Sequence, residues 1–322
     1  MGPAFQPVRR PFIRKDRLES RSHKRIWLTL RCSANMRSMP ECEDITIRLP
    51  DGYEAYARLW MPPEPCRGGV LHLHGIQSHC GWYEASAQAV CAAGLAVLQP
   101  DRRGSGRNQA RRGHAESHTQ LIDDAFACLD ALSERCGHEQ IHILGISWGG
   151  KLAAAMHAHD SGRTSSLTLI TPGIFPIIDV SASEKFRIGW SMVSNPERHF
   201  DIPLNDPRLF TADRKWIEYL EKDELQIHQA TAGFFLASRR MDKLVRRLPE
   251  ATSVPLHLML AGDERIVDNE ATRNFVREMS WPHRAITTYD RSRHTLEMGP
   301  DRDGYIEDLI RWLSDPEGVA TL

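Results

Sequence analysis

The chain has 322 residues, of which 41% are hydrophobic and 26% charged, with a formal net charge of −1. That length suits one large domain, or one domain carrying an insertion. The near-neutral charge offers no global attraction to nucleic acid or an acidic membrane, and no run approaches the roughly 18 apolar residues of a spanning helix. Residues 1–40 are basic. Arg9-Arg10-Pro11-Phe12-Ile13 superficially resembles a twin-arginine export signal, but charged residues 16–25 follow where an apolar core belongs. The stretch reads as a disordered basic tail. Seven scattered cysteines without a Cys-x-x-Cys pair argue against a disulfide framework or zinc site and fit a reducing, cytoplasmic setting.

Folded sequence begins near Glu43. Residues 45–49 alternate apolar and polar, Pro50-Asp51-Gly52 turns the chain, and 53–60 alternate again, which predicts a hairpin. Residues 70–73 read as a buried strand, 74–83 as a loop, and 84–93 as a helix stopped by Gly94. A strand at 95–98 precedes a loop at 100–106. Leu121, Ile122, Ala125, Phe126, Leu129 and Leu132 share one helical face. Residues 167–170, 256–260 and 285–288 are strand-like, and 305–313 close the chain as an amphipathic helix. Alternating strands and helices predict an α/β fold, a mainly parallel sheet covered on both faces. One stretch breaks the alternation. Residues 174–248 hold no core strand, are helical in composition, and carry Phe186, Trp190, Met192, Phe210, Trp216, Phe234 and Phe235. The segment is expected to be an inserted helical cap, with most of these side chains packed between cap helices and a few lining a lipophilic pocket. The α/β core then comprises 41–173 and 249–316.

The chemistry centres on residues 141–150. Ile141-His142-Ile143-Leu144 has the length of a strand buried on both faces. Gly145-x-Ser147-x-Gly149 follows, then a helix from Lys151. Strand, glycine-flanked turn and helix are the context of a nucleophile elbow, with Ser147 at its tip. A serine hydroxyl needs a base, and the base needs an acid to orient it. In this architecture the chain order is Ser, acid, His. Downstream, residues 260–268 leave a strand and carry Asp263, Glu264 and Asp268. His294 lies beyond the last strand and before the final helix, alone among fifteen histidines in that position. Two N–H groups must hold the oxyanion. The candidates are Trp148, just after the nucleophile, and Ile76, after His74-Gly75.

With these motifs in hand, residues 43–313 resemble the α/β-hydrolases of the monoacylglycerol lipase and lysophospholipase group, of the serine aminopeptidase S33 type. His74-Gly75 through Gly81-Trp82-Tyr83 is similar to that group's His-Gly loop, and residues 101–106 to its Asp-x-x-Gly-x-Gly loop. Gly145 to Gly150 is similar to its elbow, with Trp148 where Met or Gln is commoner. In the related pattern the acid stands two residues after a strand-ending Gly and before an Arg-Ile-Val-Asp-like run. The resemblance therefore implies Glu264 as the acid, although the group usually has Asp there. Asp263 would need a one-residue shift, and Asp268 suits the start of the next helix. The resemblance also implies an eight-stranded sheet with an inserted helical cap. The implied activity is a serine carboxylester hydrolase acting on a monoacylglycerol or lysophospholipid through an acyl-enzyme, with no metal or cofactor. A thioesterase or acyltransferase with the same triad, or a non-catalytic binding protein on this fold, are the alternatives. Expected partners are a small-molecule or lipid ester and no nucleic acid, with the cap as a place for transient membrane-surface contact.

Overall fold

The apolar runs of the sequence become the middle of a sheet. The structure, a computed structural model, describes residues 41–63 and 65–319; the basic tail read at 1–40 lies outside the described residues. The strands are β1 (Glu41–Arg48), β2 (Glu54–Met61), β3 (Gly69–Leu73), β4 (Ala96–Pro100), β5 (Ile141–Ile146), β6 (Thr164–Ile170), β7 (His199–Asp201), β8 (Gln229–Thr231), β9 (Leu256–Ala261) and β10 (Arg284–Tyr289). Eight of them form one sheet in the order β1-β2-β4-β3-β5-β6-β9-β10. β2 runs antiparallel to both β1 and β4, and the other pairings are parallel. Every residue of β3, β4 and β9 is buried, because parallel strands carry helices on both faces and so read as unbroken apolar runs. One strand in from an edge, β2 alternates buried with more exposed positions.

The helices are α1 (Glu84–Ala92), α2 (His118–Cys136), α3 (Trp148–His159), α4 (Ala182–Ser194), α5 (Arg214–Glu221), α6 (Ala232–Val245), α7 (Asn269–Arg277) and α8 (Arg302–Ser314). Their limits follow local chemistry. The Ser117 hydroxyl accepts the Gln120 N–H at the start of α2, and Gly137, at φ +73, ends that helix. Asp268 caps α7 by accepting the Ala271 N–H at 2.9 Å. α1 packs with α8, and α2, α3 and α6 pack with one another, so two helical layers cover the sheet. No described helix is long and apolar enough to cross a membrane.

Between β6 and β9 the chain makes its longest excursion, holding α4, α5, α6 and the β7–β8 ribbon. The ribbon corrects the purely helical expectation for this stretch. Parallel neighbours such as β6 and β9 need a crossover, and α6 supplies it: Phe234, Met241 and Val245 join the main core. The expectation that the large apolar residues here pack or line a pocket also needs correction. Phe210 and Phe234 are buried, but Phe186 is 76% and Trp190 66% exposed, and Val193 beside them is 86% exposed.

Candidate active site

The turn between β5 and α3 is held by close approach. A Cβ on Gly145 would overlap the Gly149 carbonyl, and one on Gly149 would overlap the carbonyl oxygens of Leu73 and His74. Ser147 sits between them at φ +55, ψ −120, a conformation that a non-glycine residue rarely adopts. Its N–H donates to Ile170 O and its carbonyl accepts from Gly173 N–H at 2.7 Å, so β6 clamps the turn from the neighbouring strand.

The structure brings three sequence-predicted residues together. The Ser147 hydroxyl donates to His294 Nε2 at 2.8 Å, and His294 Nδ1–H donates to both Glu264 oxygens at 2.9 Å. His294 is 1% exposed and Ser147 9%. Glu264 Oε1 also accepts the N–H groups of Arg265 and Ile266, at 2.9 and 2.8 Å. Burial works to raise the Glu264 pKa, but the His294 charge and these donors outweigh it and hold the carboxyl below its ordinary value. The competing carboxylates lie elsewhere. Asp263 is half exposed and pairs with Arg265 and Arg293, while Asp268 caps α7. Sequence reasoning missed Thr171. At φ +40 it ends β6, takes the Met259 carbonyl with its N–H, and donates its hydroxyl to His294 O at 3.0 Å. The histidine is thus held from its backbone as well as its ring.

The Ile76 N–H has no protein acceptor among the described residues, and Trp148 is the first residue of α3, where a helix leaves N–H groups free. Two amides therefore remain available near the elbow. The loop carrying Ile76 is tied down by Asp101, whose carboxylate accepts the Cys80 and Arg107 N–H groups at 2.8 Å each. The Asp-x-x-Gly-x-Gly loop is thereby fastened to the His-Gly loop. His79, Cys80 and Asp101 bring potential metal-ligand atoms within 4.8 Å of one another. His79 Nε2 is already bonded to Asp223 at 3.0 Å, Asp101 is spent on backbone, and burial pushes the Cys80 thiol up, keeping it protonated. That donor set suits a latch rather than an ion.

The excursion between β6 and β9 closes over these groups. Asp223 accepts from Trp82 Nε1 at 2.6 Å as well as bonding His79, Ile227 N–H donates to Gln77 O, and Thr295 N–H donates to Phe210 O. Trp148 Nε1 donates to Ser238 on α6 at 2.9 Å. Next to this wall, between α4 and α6, lies a cavity of about 370 Å³ lined by Ile174, Ile188, Met192 and Phe235, with Lys151 and Asp242 paired at its polar side.

Residues 64–301 match the family model described as serine aminopeptidase, S33. The chain belongs to that family. Within it, the chain is 24% identical over 266 residues to a monoacylglycerol lipase of Mycolicibacterium smegmatis, covering 79% of this chain and 91% of that one. It is 20% identical over 275 residues to the monoglyceride lipase of Homo sapiens, covering 84% and 90%. A solved monoglyceride lipase from Saccharomyces cerevisiae superposes with a TM-score of 0.76 at 16% identity, covering 88% of this chain and 98% of that chain. This likeness fixes the α/β-hydrolase fold for the S33 chain.

Proposed function

We propose that the protein is a serine carboxylester hydrolase that cleaves a lipid monoester, a monoacylglycerol or lysophospholipid, through an acyl-enzyme. The observation that carries this reading is the unbroken relay from the Ser147 hydroxyl through His294 to Glu264. Ser147 Oγ attacks the acyl carbon while His294 Nε2 takes its proton. Glu264 holds the Nδ1 tautomer and stabilises the imidazolium that forms. The Ile76 and Trp148 N–H groups receive the oxyanion. His294 then protonates the leaving alcohol, and water, activated by the same ring, releases the acid. None of these steps calls for a metal or cofactor. The cavity between α4 and α6, reached from α3 through Lys151, has apolar lining suited to an acyl chain, and the names of the relatives point the same way. Residues 174–248 are the proposed cap, with α6 doubling as the crossover helix. The six described cysteines are all free, which supports a reducing, cytoplasmic setting.

A hydrolysis panel tests the reading. p-Nitrophenyl esters of graded length, monoacylglycerols, lysophospholipids, acyl-CoA thioesters and aminoacyl anilides are compared, with a fluorophosphonate probe reporting on Ser147. Labelling at Ser147 and turnover that rises with chain length are expected, since each buried methylene contributes about 0.8 kcal/mol. Absence of labelling would leave a binding protein, and preference for the anilides would leave a peptidase. The cation nearest the oxyanion loop, Arg102, disfavours a free substrate ammonium.

The same proposal gives α4 a second role. Phe186, Trp190 and Val193, spaced along one exposed face, are suited to rest on a lipid surface that delivers substrate. The double substitution Phe186→Ser and Trp190→Ser is expected to abolish flotation with anionic vesicles while leaving turnover of a short water-soluble ester unchanged. Equal flotation of variant and wild type would remove that role.

A further inference from the structure

Two adjacent arginines on the loop after β4 live in different surroundings. Arg103 is satisfied by carboxylates, bonding Asp124 through two nitrogens and Asp51 at 2.9 Å. Arg102 forms no ion pair among the described residues. Its guanidinium rests against the rings of Trp148 and Phe234, 4.7 and 4.8 Å from their centres, the two rings packing on each other with centres 5.1 Å apart. One terminal nitrogen donates to Ile76 O at 2.9 Å and the other reaches Gly75 O at 3.4 Å. Its Nε is buried without a partner.

Those two carbonyls belong to the peptide units on either side of Ile76. The Gly75–Ile76 unit is the one whose N–H is left free. Its carbonyl has a second donor. His74 is neutral, because burial and then the Arg102 charge push its pKa well below the ordinary value. Its Nε2 accepts the Arg102 N–H at 2.9 Å, so the ring proton sits on Nδ1 and donates to Gly75 O at 2.8 Å. A carbonyl that accepts a charged donor is polarised, and the N–H of the same peptide becomes a stronger donor.

We infer that Arg102 is a positioning residue for the oxyanion hole: its guanidinium, resting on Trp148 and Phe234, fixes and polarises the peptide that presents the Ile76 N–H. This rests on the ester-hydrolase reading of Ser147. Burial away from any paired carboxylate pulls the Arg102 pKa down to about 9, still above neutrality, so the charge is present at working pH. That ring contact also links the two halves of the hole, because one ring belongs to Trp148, which supplies the second amide. A docking role for a substrate anion fits less well. Two of the three nitrogens are spent on backbone and the third is buried.

The test compares wild type, Arg102→Met and Arg102→Lys on a neutral p-nitrophenyl ester. It also measures their affinity for an alkyl trifluoromethyl ketone, whose serine adduct carries the oxyanion. Removing an oxyanion donor outright costs about 10²–10³ in kcat, so misaiming one is expected to cost roughly 10–100-fold in Arg102→Met. KM should stay within about threefold. Ketone affinity should fall in step with kcat, and Arg102→Lys, which keeps the charge but loses one bond, should lie between. Unchanged kcat in either folded variant overturns the inference, as does a rise in KM alone, which would make Arg102 a substrate receptor. If Arg102→Met does not fold, Arg102→Lys decides: a lower kcat at unchanged KM and ketone affinity reduced in parallel support the proposal. A wild-type protein that neither labels with fluorophosphonate nor turns over esters instead fails the hydrolase reading itself.

Discussion

The sheet and the excursion between β6 and β9 are built on opposite rules. In the sheet, β3, β4, β5, β6 and β9 bury nearly every residue, and the proposed reacting groups stand at strand ends. In the excursion, α4 turns Phe186, Trp190 and Val193 to solvent and buries only Ile188 and Ser191. α6 anchors the excursion in the main core, whereas α4 joins only a small separate cluster, Ile188 with Phe200 and Ala232. The difference separates two tasks. Proton transfer needs groups held within tenths of an ångström, which close packing provides. Admitting an apolar substrate needs a part that can shift, and the thin packing of α4 permits that.

Several substitutions press on this division. Ser147→Ala should lose ester hydrolysis by at least about 10³-fold with the fold intact, since only binding and the oxyanion amides remain; turnover near wild type would end the assignment. Glu264→Gln keeps the shape and removes the charge, and kcat should fall on the order of 10³–10⁴, as for the acid of a serine-protease triad. Asp263→Asn, one residue away, should stay within about threefold of wild type. The reverse ranking would move the acid by one residue.

Stability should sort by region. Leu258→Ala on β9 should cost about 2–5 kcal/mol by denaturant titration, whereas Phe186→Ser should lie within about 0.5 kcal/mol of wild type. A large loss at Phe186 would mean that α4 is covered in solution. The latch has a pH signature. Burial works to raise the Asp223 pKa, but His79 and Trp82 outweigh it and hold the carboxyl below its ordinary 3.8. Its contribution to stability is therefore full above that value and is lost as pH falls through the depressed one. Asp223→Asn should flatten the acid limb of the melting profile below about pH 4. An unchanged acid limb would assign no energy to the latch.

What could be read from the sequence follows the same boundary. The eight sheet strands were legible because a strand buried on both faces must be apolar throughout, and an edge strand must alternate. The meeting of Ser147 with His294 was legible by chain order, and that of Glu264 with His294 only through the family resemblance, which brackets it with Gly262 and Arg265. The β7–β8 ribbon was not, since three residues per strand carry no measurable period. Phe186 and Trp190 misled because apolar residues are often, but not always, inside. Arg102, Thr171 and Asp223 were invisible for another reason. Their partners are far away in the chain, 144 residues in the case of Asp223 and His79, and a single sequence does not record which distant residues meet.

The edge position of β10 also sets the order in which the site can come to life during synthesis. Ser147, the proposed nucleophile, and the two amides proposed for the oxyanion lie in the first half of the chain, while His294 follows β10, an outermost strand, 147 residues later. Domains emerge N-terminus first, so a growing chain can form the elbow long before it owns a base. β10 pairs only with β9, and the base arrives only when that last pairing is made. A nascent or truncated chain is thus chemically silent, and hydrolysis reports that the final strand has docked.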